Sequence, residues 1–374
     1  MPPSLWLALT LLAGGPKDEF LGLQPSLTGL TESRTDPAAQ LRSVGTVRVL
    51  MLFARFPDTD RDETPQSLYD RLVPGAVDYY RRASYGRLTL RVEPILRWLP
   101  TDRASTSGDY DCSRFDTHRR YVAEMIKKVE AEVKLADYDA VYVVGSHAPG
   151  VPNSPTLICP AGDGIRSGAS EVRFAVTFGN DIRGRDWGWQ TLIHETGHLF
   201  GLPDLYLYEK TNWHRASGAW DPMGLQMPGC HYLAWHKIKL GWLSEEQARV
   251  VSVGAGSGSL ELRSIETADG LKALVMPISA HEAYVVEVRR HGVGDDDPFG
   301  LLLYRVSTET ARGAGPVRVI PARADDGNPA WKRLFEVLYS ALWFDGTVLD
   351  DTEHRAKVVV EQRLDEGFRL RVER

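Results

Sequence analysis

The stretch TLIHETGHLFGLPDLY, residues 191–206, restricts this chain more than any other part of it. His194 and His198 stand four residues apart, an interval that puts both rings on one face of an α-helix within reach of a single ion. Asp186 is placed to cap that helix. Gly201 then follows, and a glycine in the left-handed conformation is a common way to end a helix and reverse the chain. After the reversal Asp204 can return a carboxylate toward the imidazoles. Three protein ligands, His194, His198 and Asp204, leave one position open, as in a catalytic rather than a structural zinc site. Glu195 sits beside them on the helix surface, able to take a proton from water at the metal without ligating it. The bland alternative is a surface helix with two unrelated histidines and a capping glycine.

The chain can accommodate such a site. Its 374 residues are enough for one large or two ordinary domains with a sizeable core. A net charge of −6 argues against nucleic acid or an anionic membrane as the main partner, since both require basic surface. Cys112, Cys159 and Cys230 are too few for a disulfide framework and can form at most one bridge. The apolar run in MPPSLWLALTLLAGG is too short to span a bilayer. It reads either as a secretory leader, which would make the protein extracellular, or as a plain N-terminal helix. No later segment has the length and apolarity of a transmembrane helix.

Patterning divides the rest. Residues 16–43 are polar, without sustained periodicity, and read as a linker or pro-segment, so 1–43 are set apart. VRVLMLFARF (47–56) is a buried strand, PQSLYDRLVPGAVDYYRRASYG a helix closing at Gly86, and RLTLRVEPI a second strand. Val122, Met125, Ile126 and Val129 share one face of a helix expected over 119–136. DAVYVVG and RFAVTFG are further strands, joined by a long loop, 146–172, of the kind that often carries function. Beyond Trp242 short strand-like runs dominate, ending in a hairpin at Asp365-Glu366-Gly367. A helix is expected there from Asn328, with Pro329 at its first position. The expected division is an α/β domain over 44–243 and a β-rich domain over 244–374.

The zinc stretch is similar to the extended motif of the metzincin metallopeptidases, with Asp204 where the commoner form has a histidine. Its surroundings resemble the immune inhibitor A (M6) family: SGAWDPMG and LAWHKIKLGWL follow in the same order, and LFARFPDTD and VDYYRRASYGRLTL precede. The likeness runs from about residue 44 to about residue 310. It implies an α/β metzincin-like catalytic domain (twisted sheet, backing helix, active-site helix), then a mostly β C-terminal domain. It further implies a zinc-dependent endopeptidase acting on protein or peptide substrates through one catalytic ion. Met223, in WDPMG, would be the methionine of the Met-turn, an apolar floor under the metal, with Trp220 and Asp221 bracing that turn. The alternatives are a zinc hydrolase of a non-peptide bond and a binding or adhesion protein with a retained but inactive site.

Other residues are weaker candidates. Tyr206, Tyr208, His214, His231 and Tyr232 could each stabilise an oxyanion, and spacing does not choose among them. His236 reads as structural. Asp58, Asp60 and Asp62 alternate as hard cations favour but lack the glycine and glutamate of an EF-hand loop, so a solvated turn is the simpler reading. The resemblance keeps structural calcium open. No cysteine precedes Cys112, so latency imposed by 16–43 would have to come from Glu19, Glu32 or Asp36.

Overall fold

The computed structural model describes residues 19–151, 153–183, 188–209, 213–227, 229–290, 299–322 and 341–374. Asp186 and nearly all of the helix expected from Asn328 lie outside these residues. The backbone groups into two compact units, Thr35–Gly201 and Met1–Arg34 with Leu202–Arg374.

In the unit Thr35–Gly201 the elements run β1 (Gly45–Arg55), α1 (Pro65–Ala83), β2 (Leu88–Pro100), α2 (Phe115–Lys127), β3 (Ala140–Gly145), β4 (Thr156–Ile158), β5 (Ile165–Ser167), β6 (Ser170–Val172), β7 (Phe174–Phe178) and α3 (Trp189–Leu199). One sheet has the order β2-β1-β3-β7-β4. Its first four strands are parallel and β4 is antiparallel to β7. The continuous apolar run from Val49 to Ala54 is wholly buried, as a parallel strand covered on both faces must be. Leu50, Leu52, Val141 and Val143 pack with Tyr121, Val122, Met125 and Ile126 of α2 in one core. The Tyr142 side chain, from the alternate position on β3, bonds Thr196 of α3 at 2.6 Å.

The start of α1 is fixed by a capping box between Thr64 and Ser67, with Pro65 in the first turn where its missing N–H costs nothing. Two sequence expectations are corrected here. The helix expected over 119–136 ends at Lys127, and Val129, although buried in the same core, follows on a turn. Lys, Glu and Ala carry no stop signal, so the helical pattern runs on past the point where the chain bends toward β3. The long loop 146–172 also contains regular structure, the edge strand β4 and the β5–β6 hairpin.

The other unit contains α4 (Ala234–Lys239) and the strands β8 (Ala248–Val250), β9 (Ser257–Arg263), β10 (Ala273–Pro277), β11 (Glu282–Arg289), β12 (Gly300–Ser307), β13 (Val317–Val319), β14 (Leu342–Trp343), β15 (Thr347–Asp351), β16 (Ala356–Leu364) and β17 (Gly367–Glu373). One sheet is ordered β13-β12-β11-β10-β8, with β14 also on β12, and another β15-β16-β17-β9. Leu274, Met276, Val286, Leu301 and Leu303 of the first share a core with Leu262, Val358, Phe368, Leu370 and Val372 of the second. Face-to-face burial of alternate residues from two sheets makes this a β-sandwich. The Gly/Ser run enters the strand β9, where pairing with β17 outweighs the low strand propensity of those residues. Cys112, Cys159 and Cys230 are free, and burial pushes the Cys112 thiol up to about 11 and the Cys230 thiol up to about 12. Among the described residues no helix is long and apolar enough to cross a membrane.

The polar segment expected as a linker is packed where it is described. Phe20, Leu21 and Leu23 are buried, and Phe20 meets the edge of Trp235 at 4.9 Å. Glu32 is fully buried and lies 3.2 Å from His236 Nε2, while Asp221 Oδ2 lies 2.7 Å from His236 Nδ1. His236 is therefore a structural residue, as its surroundings in the sequence suggested. Burial alone would lower its pKa, but the two carboxylates reverse this and raise it to about 9. A raised histidine pKa adds stability that is full below the unfolded value near 6.5 and is lost as pH climbs through about 9. The stability advantage of the parent over His236→Gln should therefore shrink between pH 6.5 and pH 9.5, measured by denaturant unfolding at each pH.

Candidate metal centre

The helix that carries the motif is held on two sides within its own unit. Tyr80 of α1 donates its hydroxyl to the Ile193 carbonyl at 2.9 Å, and its ring meets the edge of Phe200 at 5.8 Å. Thr196 is tied to Tyr142 of β3. Trp189 lies so close to α1 that a Cβ on Gly75 would fall 2.7 Å from its ring, so only glycine permits this approach. These contacts fix the rotation of α3 about its axis, and with it the direction of His194 and His198.

The two imidazoles have centroids 4.8 Å apart and planes at 84°. One ligand atom from each of His194, Glu195 and His198 lies within 4.8 Å of the others, and all three residues are buried. Among the described residues this is the group of three or more such side chains close enough to hold a metal ion. Two imidazoles withdrawn from water suit a borderline metal such as zinc better than calcium or magnesium, which take all-oxygen sets. The donors present therefore fit the ion expected.

Glu195 has a partner that the sequence did not reveal. The Thr156 hydroxyl of β4 lies 2.7 Å from Glu195 Oε2 and 2.8 Å from the Glu195 main-chain oxygen. The contact joins residues 39 apart, so no local spacing rule could find it. The only signal was that Thr156 falls in the 146–172 segment already singled out.

The stop at Gly201 has the expected form. Its φ is +95°, its N–H bonds the His198 carbonyl at 2.9 Å, and Leu41 N–H takes the Leu199 carbonyl at 2.8 Å. The terminal carbonyls of α3 are thereby partly satisfied.

Asp204 and Met223 belong to the other unit. There Asp204 is buried and accepts a hydrogen bond from the Tyr208 hydroxyl. Leu205 N–H bonds the Met223 carbonyl at 2.9 Å, so the segment after Asp204 runs beside the WDPMG turn. Asp221 braces that turn, accepting from Met223 N–H at 2.8 Å and Leu233 N–H at 2.9 Å. Arg289 adds a bond to the Trp220 carbonyl. Of the other candidates, His214 Nδ1 donates to the Gly224 carbonyl at 3.0 Å and Tyr232 is buried against Trp242. The His231 carbonyl receives the Arg289 guanidinium. The alternating aspartates do not converge on one point: Asp58 is bonded to Ser105 at 2.7 Å and Asp60 to His147.

No family model and no curated protein matches the chain. Among solved structures it is similar to metalloproteinase-II from Bacteroides fragilis, at 13% identity and a TM-score of 0.31, over 57% of this chain and 56% of that one. A likeness that slight and partial carries no argument, and the chemistry rests on this chain's own residues.

Gly201→Ala should destabilise the fold. A left-handed backbone costs an L-residue roughly 1–2 kcal/mol, and crowding a packed site typically costs about 1–3 kcal/mol. The new Cβ would stand 2.6 Å from Thr35 Cγ2 and 2.9 Å from Gln40 Cγ. The Gln40 side chain can swing aside, so a loss of about 2–3 kcal/mol is expected in equilibrium unfolding.

Proposed function

We propose that this chain is a zinc-dependent endopeptidase of metzincin type, related to the immune inhibitor A (M6) family, with its peptidase module over residues 44–243. The observation that carries the reading is the buried group of His194, Glu195 and His198 on one helix. His194 and His198 would hold the ion, and Asp204 is the third ligand in this reading. When bound, zinc supplies a Lewis acid that polarises the scissile carbonyl and makes nearby water more acidic. Glu195 takes a proton from the attacking water and delivers it to the nitrogen of the departing amine. Water and one peptide bond are consumed, and a carboxylic acid and an amine are formed.

The sheet suggests how the substrate arrives. β4 ends the strand order, and Thr156, its first residue, touches Glu195. An extended peptide adding to the outer edge of β4 would make main-chain hydrogen bonds there and run past the base. This arrangement favours a polypeptide over a compact small molecule. The remaining readings, a non-peptide hydrolase and an inactive binding protein, are separated by one experiment. Cleavage of a denatured protein should be abolished by a zinc chelator and by Glu195→Gln; no cleavage by the parent would refute the peptidase reading.

Two further outcomes test the assignments. Glu195→Gln should keep about one zinc per chain while losing roughly 10²–10⁴-fold in kcat, the range supplied by general acid–base catalysis. A variant that lost its zinc would show Glu195 to be a ligand. Asp204→Ala should bind zinc far more weakly than the parent, and Asp204→His should recover part of that affinity, since imidazole is also a zinc donor. Metal content after dialysis decides both.

A further inference from the structure

We infer that Thr156 is a positioning residue that holds the Glu195 carboxylate in its place as a proton acceptor and keeps it from swinging onto the metal. The inference rests on the function proposed above. Its ground is a conflict within the site: the Glu195 carboxylate lies within 4.8 Å of the ligand atoms of His194 and His198, close enough to be counted among the donors. A carboxylate so near can do one of two jobs. If it ligates, it fills the position that water needs. If it stands off, it can work as a base.

A glutamate has three side-chain torsions, so adjacency on the helix does not choose between these jobs. Thr156 does. Its hydroxyl lies within donating distance of both Oε2, at 2.7 Å, and the main-chain carbonyl oxygen of Glu195, at 2.8 Å, so its one proton serves the two acceptors together. The hydroxyl thus references the tip of the side chain to its own backbone, and strand pairing fixes the hydroxyl. Thr156 pairs with Val176 of β7, a fully buried strand, so the anchor is set by the sheet and not by a loose loop. The hydrogen bond occupies one lone pair on Oε2, which orients the group without protonating it. Valine keeps the branched shape and strand preference of threonine and removes only the hydroxyl, whereas serine keeps the hydroxyl.

The test uses the full chain with zinc and, separately, with cobalt(II) in its place. In Thr156→Val, metal content should stay at that of the parent and KM should change little, while kcat falls roughly 10–100-fold, the usual effect of losing a partner that orients a metal site. The visible spectrum of the cobalt protein should weaken and shift as the carboxylate enters the coordination sphere. Thr156→Ser should restore both kcat and spectrum. Parental kcat and spectrum in Thr156→Val would overturn the inference, as would a loss in kcat that serine does not restore. The spectrum is read without turnover, so it still tests Thr156 if the parent cleaves no protein. A parent that takes up no cobalt refutes the proposed function itself.

Discussion

The rotation of α3 about its own axis is the constraint from which the candidate centre follows. Two histidines at i and i+4 share a face on any helix, but which way that face points depends on what grips the others. Tyr80 grips the helix through the Ile193 carbonyl, and Tyr142 grips it through the Thr196 hydroxyl. Both tyrosines are buried, so breaking either bond would leave a polar group inside the core, at a cost of about 1–3 kcal/mol. That asymmetry makes the orientation stiff, although each bond contributes little net stability by itself.

Polar burial has the same purpose in the other unit. Glu32, Asp221 and His236 form a closed set in which an imidazolium is held between two carboxylates with no exposed surface. Such a set is a poor source of stability compared with apolar packing, because desolvation offsets much of the attraction. It does fix position. Asp221 uses its remaining capacity on the N–H groups of Met223 and Leu233, so the turn around Met223 is specified by directional bonds. The second carboxylate comes from a segment that looks unstructured by composition. A polar stretch can be essential when one of its charges is the partner of a buried residue far along the chain.

Legibility in the sequence followed the range of the interactions. The β1 and β3 runs and the stop at Gly201 were readable because apolar runs and a left-handed glycine act over a few residues. The His194, Glu195 and His198 cluster was readable for the same reason, being a property of one helix. What escaped was set by contacts between distant segments. The end of α2 at Lys127 has no breaker, and β4 exists because β7 offers it an edge. Thr156 meets Glu195 only through that pairing. Asp204 and Met223 were picked out by the resemblance, and the structure shows their local neighbours, Tyr208 and Asp221.

β4 is only three residues long and, among the described residues, is paired along one side, with β7. A strand so short has little rigidity of its own. On the proposed function, a substrate that adds to its other side would supply a second row of hydrogen bonds and stiffen the element that bears Thr156. Peptide residues well away from the scissile bond would then tighten the holder of the base as they bind. Their binding energy would appear as faster turnover more than as tighter association, which is how an extended site comes to favour long chains over short ones.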